Sequence, residues 1–219
     1  MNRIVFIVIF SIVGISVFYF FNQPKEKPLP IINPIDLESE MVHEDLLRVG
    51  MGHKIGDFSF RNQENNLITA DDVRGKVYVT EYFFTTCGTI CPMMNKQMQR
   101  VQDAFQKRND FKILSFTVHP EVDDVPKMKQ YADGHAANSN QWWFLTGDKD
   151  SLYNLARKSF FLLKPAEAKN LGDVGSDFIH TNNFVLIDKK MRIRGYYDGT
   201  SVVEVDQLIH DIEHLLEEE

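Results

Sequence analysis

The sequence predicts an α/β domain with a partly parallel sheet, entered through a β-hairpin and preceded by a single transmembrane helix. From residue 76 onward, β-branched and aromatic runs alternate with helix-forming stretches, the order typical of βαβ units. Two alternating runs joined by a polar turn precede them, and an 18-residue uncharged stretch, 4–21, begins the chain. With 43% hydrophobic and 25% charged residues, the composition is that of a folded protein.

The uncharged stretch 4–21 is long enough to cross most of the hydrocarbon core of a bilayer. Arg3 precedes it and no small-residue cleavage site follows, so we expect an uncleaved anchor with the rest of the chain on the outer side. Because no Arg- and Ser-rich presequence is present, we expect a bacterial inner membrane, with the domain facing the periplasm.

The segment after the anchor contains four closely spaced prolines, which are typical of an extended, semi-rigid linker: Pro24, Pro28, Pro30 and Pro34. We therefore predict a membrane anchor at 1–22, a proline-containing linker at 23–49 and a folded domain at 50–219. In that domain the hairpin is expected from the alternating run 53–60, the turn 63–66 and the run 67–73.

The alternating part of the domain predicts further strands at 77–84, 111–118, 142–145, 177–188 and 191–199. Helices are predicted from Pro92 to about 108, at 124–133, at 149–160 and at 203–217. A polar segment, 164–175, separates the third of these helices from the strand that follows. The formal net charge of −7 argues against sequence-independent nucleic-acid binding, which needs clustered lysine and arginine.

Cys87 and Cys91, the only cysteines, lie where the first predicted parallel strand turns into a helix. A helix start favours the thiolate, which is both the nucleophile of thiol chemistry and the ligand of soft metal ions. The usual redox arrangement is C-x-x-C, whereas three residues separate these cysteines and give an i,i+4 spacing that suits a shared metal ion. The pair alone leaves both metal binding and thiol chemistry open.

Two thiolates leave a copper ion under-coordinated, and His180 stands out by position because it follows the polar segment and immediately precedes a predicted strand. From the residues alone, a structural or exposed histidine is the more common role at such a position, so the ligand role stays open at this point. His119 is a weaker candidate, for a residue that contacts a metal ligand without binding the metal itself. His210 and His214 share a helix face and could bind a metal ion together, but exposure of that face to solvent is the preferred interpretation. Met93 and Met94 follow the cysteines and could offer thioether sulfur to Cu(I), but ordinary packing of both side chains on the helix is the preferred interpretation.

The motifs GKVYVTEYFFTTCGTICP, LSFTVHPEVD, WWFLTG and DFIHTNNFVLID, in this order after an N-terminal span, resemble the Sco/SenC family of membrane-anchored copper proteins. The resemblance implies a thioredoxin-like fold and copper ligands at Cys87, Cys91 and His180, for Cu(I) or Cu(II). It also implies assistance in assembling the binuclear copper centre of cytochrome c oxidase. The expected partner is then the copper-site subunit of that oxidase or another cuproprotein.

Many members of that family read C-P-x-x-C-P with an acidic residue between the cysteines, where this chain has Gly88, Thr89 and Ile90. The alternative function is a thiol-disulfide oxidoreductase acting on the cysteines of a client cuproprotein, with Cys87 as attacking and Cys91 as resolving thiol. The stretch 180–182 lacks the proline that such enzymes usually place before the facing strand. A peroxidase pattern is absent, and a structural disulfide across so short a loop would stabilise little.

Overall fold

The computed structural model describes residues 3–21, 27–37, 42, 46, 50–162 and 182–218. Its strands are β1 (Ser59–Asn62), β2 (Leu67–Thr69), β3 (Val77–Phe83), β4 (Phe111–Thr117), β5 (Trp142–Thr146), β6 (Asn183–Ile187) and β7 (Ile193–Asp198). Its α-helices are α1 (Arg3–Phe21), α2 (Ala70–Val73), α3 (Cys91–Phe105), α4 (Val125–Gly134), α5 (Lys149–Lys158) and α6 (Val202–Glu217), with a short 3-10 helix at Pro34–Asp36.

The seven strands form one sheet in the order β2-β1-β5-β4-β3-β6-β7. The central strands β3, β4 and β5 are parallel, and the outer pairings are antiparallel, including that of β1 with β2. Helices α3 and α4 are the two crossovers between the parallel strands. The prediction of a partly parallel sheet entered through a hairpin is therefore confirmed. Of the strand predicted at 177–188, residues 177–181 lie outside the described part of the chain.

Both faces of the central sheet are covered, which explains why every residue of β3 is buried. Tyr78 and Tyr82 belong to a core on one face with residues of α5, whereas Val79 and Phe83 belong to a core on the other face with α3, α4 and α6. The side chains of α6 that line the second core follow the predicted helical spacing: Val205, Leu208, Ile212, Leu215 and Leu216. Because α3 begins at Cys91, this second core extends to the cysteine pair.

Part of the segment predicted as a linker lies against the domain. Ile32 forms a β-bridge with Ile193, and Arg194, only 3% exposed, donates hydrogen bonds to the carbonyl oxygens of Leu29 and Pro30. The same guanidinium pairs with Asp188 and Glu218. One buried arginine thus joins the N-terminal segment, the β6–β7 turn and the C-terminal end of the domain, through donors that match carbonyl and carboxylate oxygens.

Helix α1 occupies the stretch for which the sequence predicts a membrane anchor. Within the described ranges, however, no helix has the combination of length and apolar character needed to cross a bilayer. The predicted transmembrane helix is therefore unconfirmed.

Candidate dithiol site

The two cysteines lie at the carboxyl edge of the parallel strands, where β3 passes into α3. The strand ends at Phe83, the amide of Cys87 donates to the carbonyl oxygen of Phe84 at 3.1 Å, and Cys91 is the first residue of the helix. Pro92 occupies the first helical turn, where its missing amide hydrogen leaves no bond unmade. Crevices at this edge of parallel sheets are common ligand sites.

A buried carboxylate fixes the start of the turn. Asp123 accepts hydrogen bonds from the backbone amide of Thr85 at 3.2 Å and from the hydroxyls of Thr85 and Thr117. Its side chain is fully buried, so these bonds replace the water that the carboxylate has lost. The ends of β3 and β4 are therefore tied together two residues before Cys87.

The two thiols have different environments. Cys87 is partly exposed, whereas Cys91 is only 4% exposed, and the two do not form a disulfide. Burial opposes ionisation of Cys87, but hydrogen bonds from the Cys91 thiol and from the amides of Thr89 and Cys91 outweigh it, so the pKa of Cys87 is lowered. Burial, followed by the hydrogen bond to Cys87, raises the pKa of Cys91. Cys87 is thus the more readily ionised thiol.

This arrangement supports two kinds of chemistry. The two thiols shift each other's pKa and lie four residues apart at the start of one helix, a proximity that suits shared binding of a single soft metal ion. The same contact allows thiol–disulfide exchange, in which an exposed thiolate attacks and a neighbouring thiol resolves. Among the described residues, no group of three or more potential metal ligands occurs. His180, the predicted third ligand, lies in the range 163–181, outside the described residues.

The described histidines have other surroundings. The ring of His53 lies 2.9 Å from the carbonyl oxygen of Ser159, and burial lowers its pKa. His135 packs on Tyr131. On α6, His210 lies beside Asp211 and His214 beside Glu218. Within the described residues, none of them, nor His119, completes a three-ligand group with the cysteines.

The two methionines after the cysteines differ in burial. Met94 is 1% exposed and packs in the core beside Cys91, as predicted. Met93 is 51% exposed, so the prediction that it packs was wrong. A first helical turn presents successive side chains in different directions, and only one of these two residues faces the sheet.

Glu81 is a residue of the site region that sequence reasoning missed. It lies in β3 and is 1% exposed, and its Oε1 accepts a hydrogen bond of 2.7 Å from the hydroxyl of Ser115. Its charge acts on Cys91, whose pKa it helps to raise. The available signal was a single acidic residue inside an otherwise apolar and β-branched run that reads as a doubly covered strand.

A central parallel sheet with a thiol pair at its first strand–helix junction defines the chain as a thioredoxin-like α/β dithiol protein. Comparison with known families narrows this class: the model of the SCO1/SenC family matches residues 49–217, and the chain belongs to that family.

Individual relatives agree with this assignment. The chain is 29% identical over 164 residues to the SCO1 protein homolog of Bacillus subtilis, covering 74% of this chain and 82% of that protein. It is 28% identical to BsSco, described as a member of the Sco family of cytochrome c oxidase assembly proteins with a disulfide switch, with a TM-score of 0.64 over 75% of this chain and 94% of that one. The copper-bound ScoI of Bradyrhizobium japonicum shares the fold at 20% identity, with a TM-score of 0.58 over 75% of this chain and 99% of that one.

We predict that iodoacetamide alkylates Cys87 faster than Cys91 in the metal-free, reduced protein, because Cys87 is more exposed and has the lower pKa. Its rate should reach half of its maximum at a pH below that of an unperturbed thiol, while Cys91 stays slow throughout the neutral range. Peptide mass spectrometry after quenched labelling across a pH series measures both rates. Equal rates at the two cysteines would contradict the description of the pair.

Proposed function

We propose that the protein binds one copper ion through Cys87, Cys91 and His180 and delivers it to the copper-site subunit of cytochrome c oxidase or to another cuproprotein. The observation that carries the proposal is the pair of adjacent thiols at the strand–helix junction, one partly exposed and one buried. Thiolate sulfur favours Cu(I), and an imidazole ligand helps to retain Cu(II).

Family membership supports this proposal. BsSco belongs to a family of cytochrome c oxidase assembly proteins, and the Bradyrhizobium protein carries copper. For His180, the support is the need of two thiolates for a third ligand, together with the family resemblance of the residues around it. The replacement of the usual residues between the cysteines by Gly88, Thr89 and Ile90 removes no ligand.

The different environments of the thiols suggest an order of events. Copper first meets the Cys87 thiolate, which is the accessible and more acidic sulfur. The Cys91 thiol then loses its proton to solvent or a neighbouring base as its bond to copper forms, because the cation stabilises the charge that burial alone disfavours. In delivery, a partner's ligand replaces Cys87 first, since that sulfur is the one within reach.

Thiol–disulfide exchange is the second candidate, favoured by the same difference between the thiols. The Cys87 thiolate attacks a client disulfide, forming a mixed disulfide and releasing one client thiolate, which takes up a proton. Cys91 then loses its proton and attacks the mixed disulfide at Cys87. The products are the fully reduced client and a Cys87–Cys91 disulfide. This route leaves His180 without a ligand role.

We further propose that the segment 4–21 attaches the protein to a membrane and that the domain faces the periplasm. The support is the absence of charge over these residues and the single Arg3 before them. A domain in this compartment would meet the copper-site subunit of an oxidase on the same side of the membrane.

We predict that the reduced protein binds one equivalent of Cu(I) under anaerobic conditions. His180→Ala should weaken the affinity by about tenfold or more, which corresponds to a loss of about 1.4 kcal/mol or more in binding free energy. Competition with a chromophoric Cu(I) chelator measures the affinity. His210→Ala is the matched control, since it removes an imidazole from α6, and it should bind as the unaltered protein does.

Unchanged Cu(I) affinity in His180→Ala, together with rapid reduction of a client disulfide by the same variant, would contradict copper delivery in favour of thiol exchange. Loss of copper binding in both Cys87→Ser and Cys91→Ser is required by the proposal.

We predict that the full chain sediments with bacterial membranes and resists extraction by alkaline carbonate, whereas a chain starting at residue 23 is recovered in the soluble fraction. Protease added to intact spheroplasts should digest the domain, because it faces outward. A full chain found in the soluble fraction, or protection of the domain in intact spheroplasts, would contradict the proposed location.

A further inference from the structure

Glu81 is a buried acid on the face of the sheet that also holds the cysteine pair. Alternation along β3 puts it on the side of Val79 and Phe83, whose core contains the first residue of α3, Cys91. Its Oε1 accepts from Ser115, whose hydroxyl in turn accepts from the indole of Trp142 at 2.8 Å. Its Oε2 is buried and has no hydrogen-bond partner among the described residues.

An unpartnered carboxylate oxygen in an apolar core costs free energy, so the fold gains no stability from it. Burial raises the pKa of Glu81 to about 7, and the bond from Ser115 opposes that rise only in part. The group therefore carries negative charge above neutral pH and loses it below.

The ionisable groups that face this carboxyl come from two helices and one turn. Burial is the main cause of the raised pKa of Cys91 on α3 and of Tyr131 on α4, and a charge on Glu81 raises both further. A charge on Cys87, in the turn, also raises the pKa of Tyr131. Asn95 donates to the Tyr131 hydroxyl and contacts the ring of His135. None of these neighbours is a permanent cation that would offset the charge of Glu81.

The charge of a loaded site depends on the copper oxidation state. Two thiolates and a neutral imidazole leave one net negative charge around Cu(I) and none around Cu(II). The buried negative charge of Glu81 repels the negatively charged Cu(I) complex and has little effect on the neutral Cu(II) complex.

We propose that Glu81 sets the oxidation-state preference of the dithiol site, its carboxylate lowering the affinity for Cu(I) relative to Cu(II). This inference rests on the proposed copper binding by Cys87, Cys91 and His180. Glu81 acts through the ligands without touching the metal, and it is therefore a charge-setting residue, not a ligand.

The test measures Cu(I) and Cu(II) affinities of the full chain by chelator competition at pH 8.5 and pH 5.5. At pH 8.5 the ratio of Cu(I) to Cu(II) affinity should rise about tenfold in Glu81→Gln, because the buried charge is gone. At pH 5.5, where Glu81 is protonated, the unaltered protein and the variant should give similar ratios. Cu(I) and Cu(II) displace the same number of protons from the ligands, so the pH dependence that this causes cancels in the ratio of the two affinities.

Glu213→Gln is the matched control, since it removes the same charge from the exposed face of α6 and should leave the ratio unchanged. If Glu81→Gln fails to fold, the unaltered protein still decides, because its ratio should fall as the pH rises through 7. A ratio independent of both pH and the variant would overturn the inference.

Failure of the proposed function has a different signature. If the unaltered protein binds neither Cu(I) nor Cu(II), the proposed copper binding is wrong. The effect of the Glu81 charge on Cys91 is then measured in the metal-free protein. At pH 8.5, iodoacetamide should alkylate Cys91 several-fold faster in Glu81→Gln than in the unaltered protein. An unchanged Cys91 rate would overturn the inference independently of copper.

Discussion

The site depends on the bonds that Asp123 makes at the carboxyl edge of the sheet. By accepting from Thr85 and Thr117, this carboxylate fixes the ends of two adjacent parallel strands just before the cysteine-bearing turn. The turn then has only a few residues in which to enter α3, so Cys87 remains near solvent while Cys91 becomes the first buried residue of the helix. The difference between the thiols follows from this geometry.

The buried groups beneath the turn give the site its charge balance. Cys91 is disfavoured as a thiolate by burial and by Glu81, so a cation is the natural partner for the ionised pair. The fold tolerates the unpaired oxygen of Glu81 because the remaining core is extensive on both faces of the sheet. Copper binding and thiol exchange both use the accessible sulfur of Cys87. The two functions differ in their need for His180, which is a ligand only in copper binding.

Periodicity and composition were sufficient to predict the hairpin, the parallel centre and the amphipathic closing helix, because each has a local pattern. The cysteine pair was also predictable, since a strand-to-helix junction is visible in the residues around Cys87. Contacts distant in sequence were not: Arg194 joins Leu29 to Glu218 through hydrogen bonds that no local pattern encodes. Glu81 was missed because an acidic residue in a strand usually marks a solvated face. The ligand role of His180 remains a prediction, as that residue lies outside the described part of the chain.

The most direct measurement of the central claim is X-ray absorption spectroscopy of the copper-loaded protein at the copper edge. We expect copper to be bound by two sulfur ligands at about 2.3 Å and one nitrogen ligand at about 2.0 Å, by analogy with the thiolate and imidazole distances of other first-row metal sites. The nitrogen contribution should disappear in His180→Ala. A shell of sulfur alone in the unaltered protein, or a nitrogen contribution that survives the substitution, would contradict it.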